Sequence, residues 1–186
     1  MNFKILTGIA AAAAVLACAG VAQADTITFN DTPADGWFYG SGNDYVPANT
    51  TVLTTDAGDQ LYLRAHETFQ PAPASNGNTY SFPTGLSFIS FDWGFDAADL
   101  NGVTALITLK KLGAGSGSYD PLAVGNDNTV GNGSTQNSYR LNWTPPGFFT
   151  PNVDSSYNVT LAVNGLDGGP KALTIRVDVG AGATVP

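Results

Sequence analysis

The chain has 186 residues, enough for one domain of ordinary size. Seven lysines and arginines face fifteen acids, a formal charge of −8, which argues against a surface that tracks phosphate backbones and so against nucleic acid as a partner. One cysteine and one histidine exclude a disulfide framework and histidine-rich metal centres, and 22 glycines with 11 prolines suit short strands and turns.

The first element is an address. Met1 to Ala24 carries one positive side chain, Lys4, then an apolar stretch from Ile5 to Cys18, then Ala22-Gln23-Ala24. This is the three-part pattern of a secretory signal peptide with an A-x-A cleavage site, and it predicts a secreted or cell-surface protein. The apolar run is shorter than the ~20 residues a membrane-spanning helix needs, so no span is expected in the mature chain. Cleavage after Ala24 leaves 162 of the 186 residues as one domain, 25–186, beginning at Asp25. Lys4 leaves with the signal, so six cations then face the fifteen acids, a charge of −9. A competing reading makes Val15-Leu16-Ala17-Cys18 a lipobox with Cys18 acylated. Leu16 is bulky for its position and a complete cleavage site follows, which favours removal.

Beyond Ala24 the apolar residues recur with period two, the mark of strands with one buried face. In chain order the predicted strands are residues 26–29, 36–39, 50–55, 60–67, 86–95, 103–110, 138–143, 157–164 and 173–179. Those starting at 86, 103, 157 and 173 alternate most cleanly: Ile89, Phe91, Trp93 and Phe95 share one face, and Ser90, Asp92 and Gly94 the other. Glycine- and proline-rich turns separate them at 40–44, 70–77, 113–117, 125–128 and 164–170. No stretch after the signal keeps helical spacing for three turns. The predicted fold is all-β, an antiparallel β-sandwich in jelly-roll-like or immunoglobulin-like order, with Phe91, Trp93, Ile107, Leu161 and Ile175 at its centre.

Candidate chemistry is sparse. Fourteen of the acids are aspartates and Glu67 is the lone glutamate, so a glycosidase pair would have to draw on residues such as Asp92 and Glu67, which nothing in the spacing joins. Most aspartates fall where turns favour them. Tyr62, Arg64 and His66 share one face of the 60–67 strand and resemble the parts of a polyuronate lyase, though an exposed polar strand face explains them as well. No G-x-S-x-G elbow is present, and Gly113 to Ser118 lacks the lysine of a phosphate loop. Calcium is the most plausible inorganic ligand, with Asp96, Asp99, Asn101 and Asp127 as its candidate oxygens, although no EF-hand spacing occurs. Trp37 and Tyr39 are the candidate carbohydrate platform, with Phe148-Phe149 as further loop aromatics; sheet packing is the competing role for all of them.

A signal peptide followed by Ala24-Asp25-Thr26-Ile27-Thr28-Phe29, Phe88-Ile-Ser-Phe-Asp-Trp93, Tyr119-Asp-Pro121, Gly125-Asn-Asp-Asn128 and a Gly/Ala-rich run to Thr184-Val185-Pro186 resembles bacterial secreted PEP-CTERM proteins. The resemblance implies export, a β-rich fold and association with exopolysaccharide or biofilm matrix. It departs from that family in lacking, within these residues, the Pro-Glu-Pro motif, hydrophobic span and basic tail read by an exosortase; Val185-Pro186 is either the first two residues of a Val-Pro-Glu-Pro signal cut short or simply the end. The functional expectation is a non-enzymatic cell-envelope or extracellular-matrix protein whose partners are extracellular polysaccharide or other matrix proteins. A carbohydrate-binding module is the alternative, and a glycan-cleaving enzyme a more distant one.

Overall fold

The computed structural model describes residues 24–40, 42, 44–114, 116–119, 129–130 and 133–182. Residues 1–23, which hold most of the predicted signal peptide and Cys18, the candidate calcium ligand Asp127, and Val185-Pro186 lie outside the described residues. Among the described residues eleven strands form two sheets: β1 Thr26–Asp31, β2 Thr50–Thr54, β3 Gln60–Glu67, β4 Thr79–Phe82, β5 Ile89–Asp96, β6 Thr104–Lys111, β7 Ser116–Tyr119, β8 Thr129–Val130, β9 Ser134–Arg140, β10 Ser155–Asn164 and β11 Lys171–Val179. A 3-10 turn, Leu141–Trp143, follows β9. Among the described residues no helix is long and apolar enough to cross a membrane.

The larger sheet has the order β1-β2-β3-β5-β9-β8 and the smaller β4-β11-β10-β6-β7. Both are antiparallel except where β4 lies parallel to β11, with Thr79 opposite Arg176 and Phe82 opposite Val179. The fold is therefore the predicted all-β sandwich, with one parallel pair the prediction did not contain. Its core lies between the inner faces: Leu61, Leu63, Ala65, Phe91, Trp93 and Phe95 from the larger sheet meet Ile107, Leu161, Leu173, Ile175 and Val177 from the smaller. All five residues predicted for the centre are buried there.

The four clean strands appear within a few residues of their predicted bounds, because alternating apolar side chains on a half-buried sheet leave one register that hides them all. Other segments differ. Residues 36–39 form no strand; their backbone bonds to a glutamine side chain instead of a neighbouring chain. The segment predicted as 138–143 is the end of β9 followed by the 3-10 turn, in which Leu141 is buried. β4 and β7, four residues each, lie within or beside turn-rich sequence and were not anticipated.

Candidate functional site

The outer face of the larger sheet carries a polar grid. Strand register sets Tyr62, Gly94 and Gln136 in one row across β3, β5 and β9, then Arg64, Asp92 and Ser138, then His66, Ser90 and Arg140. The expectation of an exposed polar face for Tyr62, Arg64 and His66 is overturned, since all three are fully buried, as is Asp92. The described residues between Thr32 and Asn49 cross over them as a strap. Gln136 fixes its first half: its Oε1 accepts from the N–H groups of Phe38 (2.8 Å) and Tyr39 (3.2 Å), and its Nε2 donates to the Gly36 carbonyl. Trp37 is buried as well, so it is no sugar platform. Its indole N–H donates to Thr50 Oγ1 at 3.1 Å and its ring stands edge-on to Tyr62 at 5.1 Å. Tyr39 is half-buried, held through its own backbone N–H to the sheet. The grid makes room for this at Gly94, where a Cβ would lie 2.1 Å from the Tyr62 ring.

Beneath the strap the charges balance. Arg64 donates from Nε to Asp92 at 2.8 Å, from Nη2 to Asp44 at 3.0 Å and from Nη1 to the Val46 carbonyl, while its guanidinium lies 4.8 Å from the centre of the Trp37 ring. His66 sits between two acceptors, with Nδ1 2.8 Å from the Glu67 carbonyl and Nε2 3.1 Å from Asp92 Oδ1. Both nitrogens need a proton to satisfy those contacts, a condition the imidazolium alone meets. Burial by itself would lower the His66 pKa, but the charge and hydrogen bond of Asp92 outweigh it and hold the group above its ordinary value. Burial would likewise raise Asp92, yet His66 and Arg64 keep its carboxyl below the ordinary range. Two cations and two carboxylates thus meet in a buried cluster that joins the strap to the sheet.

The calcium candidates among the described residues, Asp96, Asp99 and Asn101, make separate contacts. Asp99 accepts from the backbone N–H of Asn101 at 2.9 Å and from its side-chain amide at 3.1 Å, so the two residues close a local turn on each other. Asp96 lies instead beside Asp35 and Ser134; burial, then the Asp35 charge, raises its pKa. Ser134 donates its hydroxyl to Asp35. Two shallow cavities of about 210 and 280 Å³ share Asp59, Ala97 and Ala98 at this end. Among the described residues no three acids, histidines or cysteines stand close enough together to hold a metal ion.

Among the described residues one surface unites exposure with aromatic and cationic side chains, and Phe69, Phe88, Arg140 and Trp143 on it were not predicted as site residues. Phe69, Phe88 and Trp143 are 62%, 53% and 48% exposed. The Arg140 guanidinium lies between two of them, 5.2 Å from the Phe69 ring centre and 5.2 Å from that of Trp143. Trp143 is braced edge-on against Tyr139 at 5.4 Å. Beside it a cavity of about 370 Å³, within the ~300–1,000 Å³ of ligand clefts, is lined by Phe88, Asn142, Thr144, Phe149 and the Pro145–Gly147 turn. Phe149, one of the predicted loop aromatics, is therefore at this site, and it also packs on Tyr157 at 5.8 Å.

Local backbone chemistry presents Phe69. The Gln70 N–H donates to the Glu67 carbonyl at 2.8 Å, closing a turn in which Phe69 takes third place with φ of 68°. Glycine or asparagine is the ordinary occupant of that conformation, and phenylalanine there costs about 1 kcal/mol. The Phe69 N–H is held by the Gly42 carbonyl at 2.7 Å. Gly42 has φ of 105°, and a Cβ on it would lie 2.9 Å from Thr68 and 3.7 Å from Arg140 Nε. The strap that hides the polar cluster thus also props the aromatic surface. The sequence signal that could have found it is a pair of aromatics that the alternation does not bury: Phe69, just past the 60–67 strand, and Phe88, on the polar face of the 86–95 strand. Comparison of the chain with known protein families, with curated proteins and with solved structures returns no match.

Proposed function

We propose that the chain is an exported, non-enzymatic protein of the cell envelope or extracellular matrix that holds polysaccharide on the surface formed by Phe69, Arg140, Trp143 and Phe88. The observation that carries this reading is the exposure of three large aromatic side chains beside a ligand-sized cleft. Aromatic faces stack on the apolar faces of sugar rings, and isolated exposed rings need no explanation, but a braced group beside a cleft does. The strained turn at Phe69 supports it, because a backbone penalty that places a ring in water gains nothing for the core. The signal-like first segment and the resemblance to exosortase-sorted proteins support export. The burial of Tyr62, Arg64, His66 and Asp92 supports a binding role over lyase chemistry, since the acid–base residues sit beneath the strap.

Affinity electrophoresis through gels containing bacterial or plant polysaccharides tests the proposal. The mature chain is expected to be retarded by at least one polymer, and the pair Phe69→Ala with Trp143→Ala to weaken that binding about tenfold or more, the equivalent of ~1.4 kcal/mol. No release of reducing ends or unsaturated uronates is expected during the same incubation. Free migration through every gel, or steady release of sugar, would refute it.

A further inference from the structure

Arg140 differs from the other arginines. Arg64 and Arg176 are each in an ion pair, with Asp92 and Asp44 in the first case and Asp178 in the second. Among the described residues Arg140 has no ion pair, and its guanidinium contacts are to the rings of Phe69 and Trp143. Its Nε is buried without a hydrogen-bond partner, under the backbone of Gly42, while the side chain as a whole is half-buried. With two rings 5.2 Å from the guanidinium and Nε enclosed, the edge carrying the two terminal nitrogens is what remains to meet a ligand.

We propose that this edge makes the surface selective for acidic sugars, the carboxylate of a uronate unit accepting two parallel hydrogen bonds from the Arg140 terminal nitrogens while neighbouring sugar faces lie on Phe69 and Trp143. The inference rests on the polysaccharide-binding reading above and adds the class of sugar. Guanidinium and carboxylate match as planar forks, and the rings on either side hold the fork in one orientation before the ligand arrives, so little side-chain freedom is lost on binding. The charge of the whole chain sharpens the argument. A protein with fifteen acids repels a polyanion at long range, so an unpaired arginine set between exposed rings is a local exception that favours an anionic group at one point. Asn142 and Thr144, lining the adjoining cleft, supply the amide and hydroxyl groups that sugar hydroxyls require.

The test compares polygalacturonate with the same polymer after its carboxyl groups have been reduced to alcohols, which leaves chain length and ring geometry in place and removes the charge. Dextran sulfate forms a third arm. Wild-type protein is expected to bind polygalacturonate at least tenfold more tightly than the reduced polymer, with the ratio falling as salt is raised. Arg140→Gln should bring that ratio close to one. Arg140→Lys keeps the charge without the fork and should give an intermediate ratio; if the glutamine variant binds neither polymer, the lysine variant decides, an unchanged ratio overturning the proposal. A wild-type ratio near one also overturns it, as does a preference for dextran sulfate that exceeds the preference for the uronate. Binding of neutral polymers without discrimination would leave the polysaccharide reading standing and remove this one, whereas absence of all binding would remove both.

Discussion

The two outer faces of the sandwich are built on the same pleat and have opposite fates. On the smaller sheet the rows Thr108, Thr160, Thr174 and Lys110, Asn158, Arg176 stand half-buried or exposed, each alternating with a fully or nearly fully buried neighbour. On the larger sheet the equivalent rows are covered by the strap, and β5 is buried on both sides through seven of its eight residues. Polar side chains on the open face need no partners beyond water and each other, as with the Thr160 and Thr174 hydroxyls at 2.8 Å. Under the strap the charges of Arg64, His66 and Asp92 are matched to one another, because an unpaired buried charge costs several kcal/mol whereas a surface pair contributes little, while Ser138 Oγ and Arg140 Nε are left without a hydrogen-bond partner. Polarity on a strand therefore says which side chains require partners, while a long connection elsewhere in the chain decides where those partners come from.

The contrast yields graded expectations. Asp92→Ala should be the most damaging change, destabilising by about 3–5 kcal/mol in urea titration, since it strands Arg64 and His66 together without their shared carboxylate. Trp37→Ala, which empties the strap's anchor and leaves the sandwich core alone, should cost about 3 kcal/mol and bring the Tyr62 phenol into contact with solvent, detectable as a new tyrosine titration in ultraviolet absorbance. Smaller effects come from pH. Asp92 contributes stability fully above its ordinary value of 3.8, lost as pH falls through its lower folded value. The His66 contribution has the opposite sign: it is complete below the ordinary 6.5 and lost as pH rises through the raised folded value, so His66→Gln should flatten the alkaline limb of a melting-temperature profile and leave the acid limb in place. At the foot of the scale, Thr160→Val on the open face should change stability by less than about 0.5 kcal/mol. Asp96→Asn should raise it by a few tenths, as it removes a charge held near Asp35. A Thr160→Val effect as large as that of Trp37→Ala would erase the distinction between the faces.

How far the sequence reveals this depends on whether a residue's neighbour lies across the pleat or far along the chain. Ile89, Phe91, Trp93 and Phe95 declare their face by alternation, as do the inward residues of β10 and β11, because one sheet's own period determines them. β9 reads Ser-Thr-Gln-Asn-Ser-Tyr-Arg and offers no apolar period, although most of it is buried; its partners are Gly36, Phe38 and Tyr39, about a hundred positions earlier. The same limit misplaced Trp37, whose indole was free to be a platform until Thr50, Tyr62 and Arg64 were set beneath it. Arg140 and Trp143 were assigned to a continuous strand, and the 3-10 turn at Leu141 is what brings Trp143 back over the arginine. The pairing of Arg64 with Asp92 was open to inspection in one respect: both occupy the polar face of an alternating strand, and two such strands side by side make an ion pair an economical match.

The parallel contact between β4 and β11 has a consequence for how the molecule assembles. β3 and β5, the strands on either side of β4 in sequence, pair with each other in the larger sheet, so β4 must leave that sheet, join the smaller one and let the chain return. Its partner residues on β11 lie nearly a hundred positions downstream, and the joint is extended at both ends, where Arg176 N–H donates to the Asn78 carbonyl and Gly180 N–H to that of Phe82. A chain released from its amino terminus can close the β2–β3 hairpin early through the short 55–59 turn, and add β1 and β5 across the longer 32–49 and 68–88 connections. Tyr80 and Phe82 then wait for Lys171–Val179, with their apolar rings unclaimed and the larger sheet's inner face bare. Closing so long a loop is slow relative to hairpin formation, and the waiting state is vulnerable to proteases and to other copies of itself. Such a sandwich cannot be completed piecemeal: its last strand is its keystone, and whatever compartment receives the final forty described residues is the compartment in which it folds.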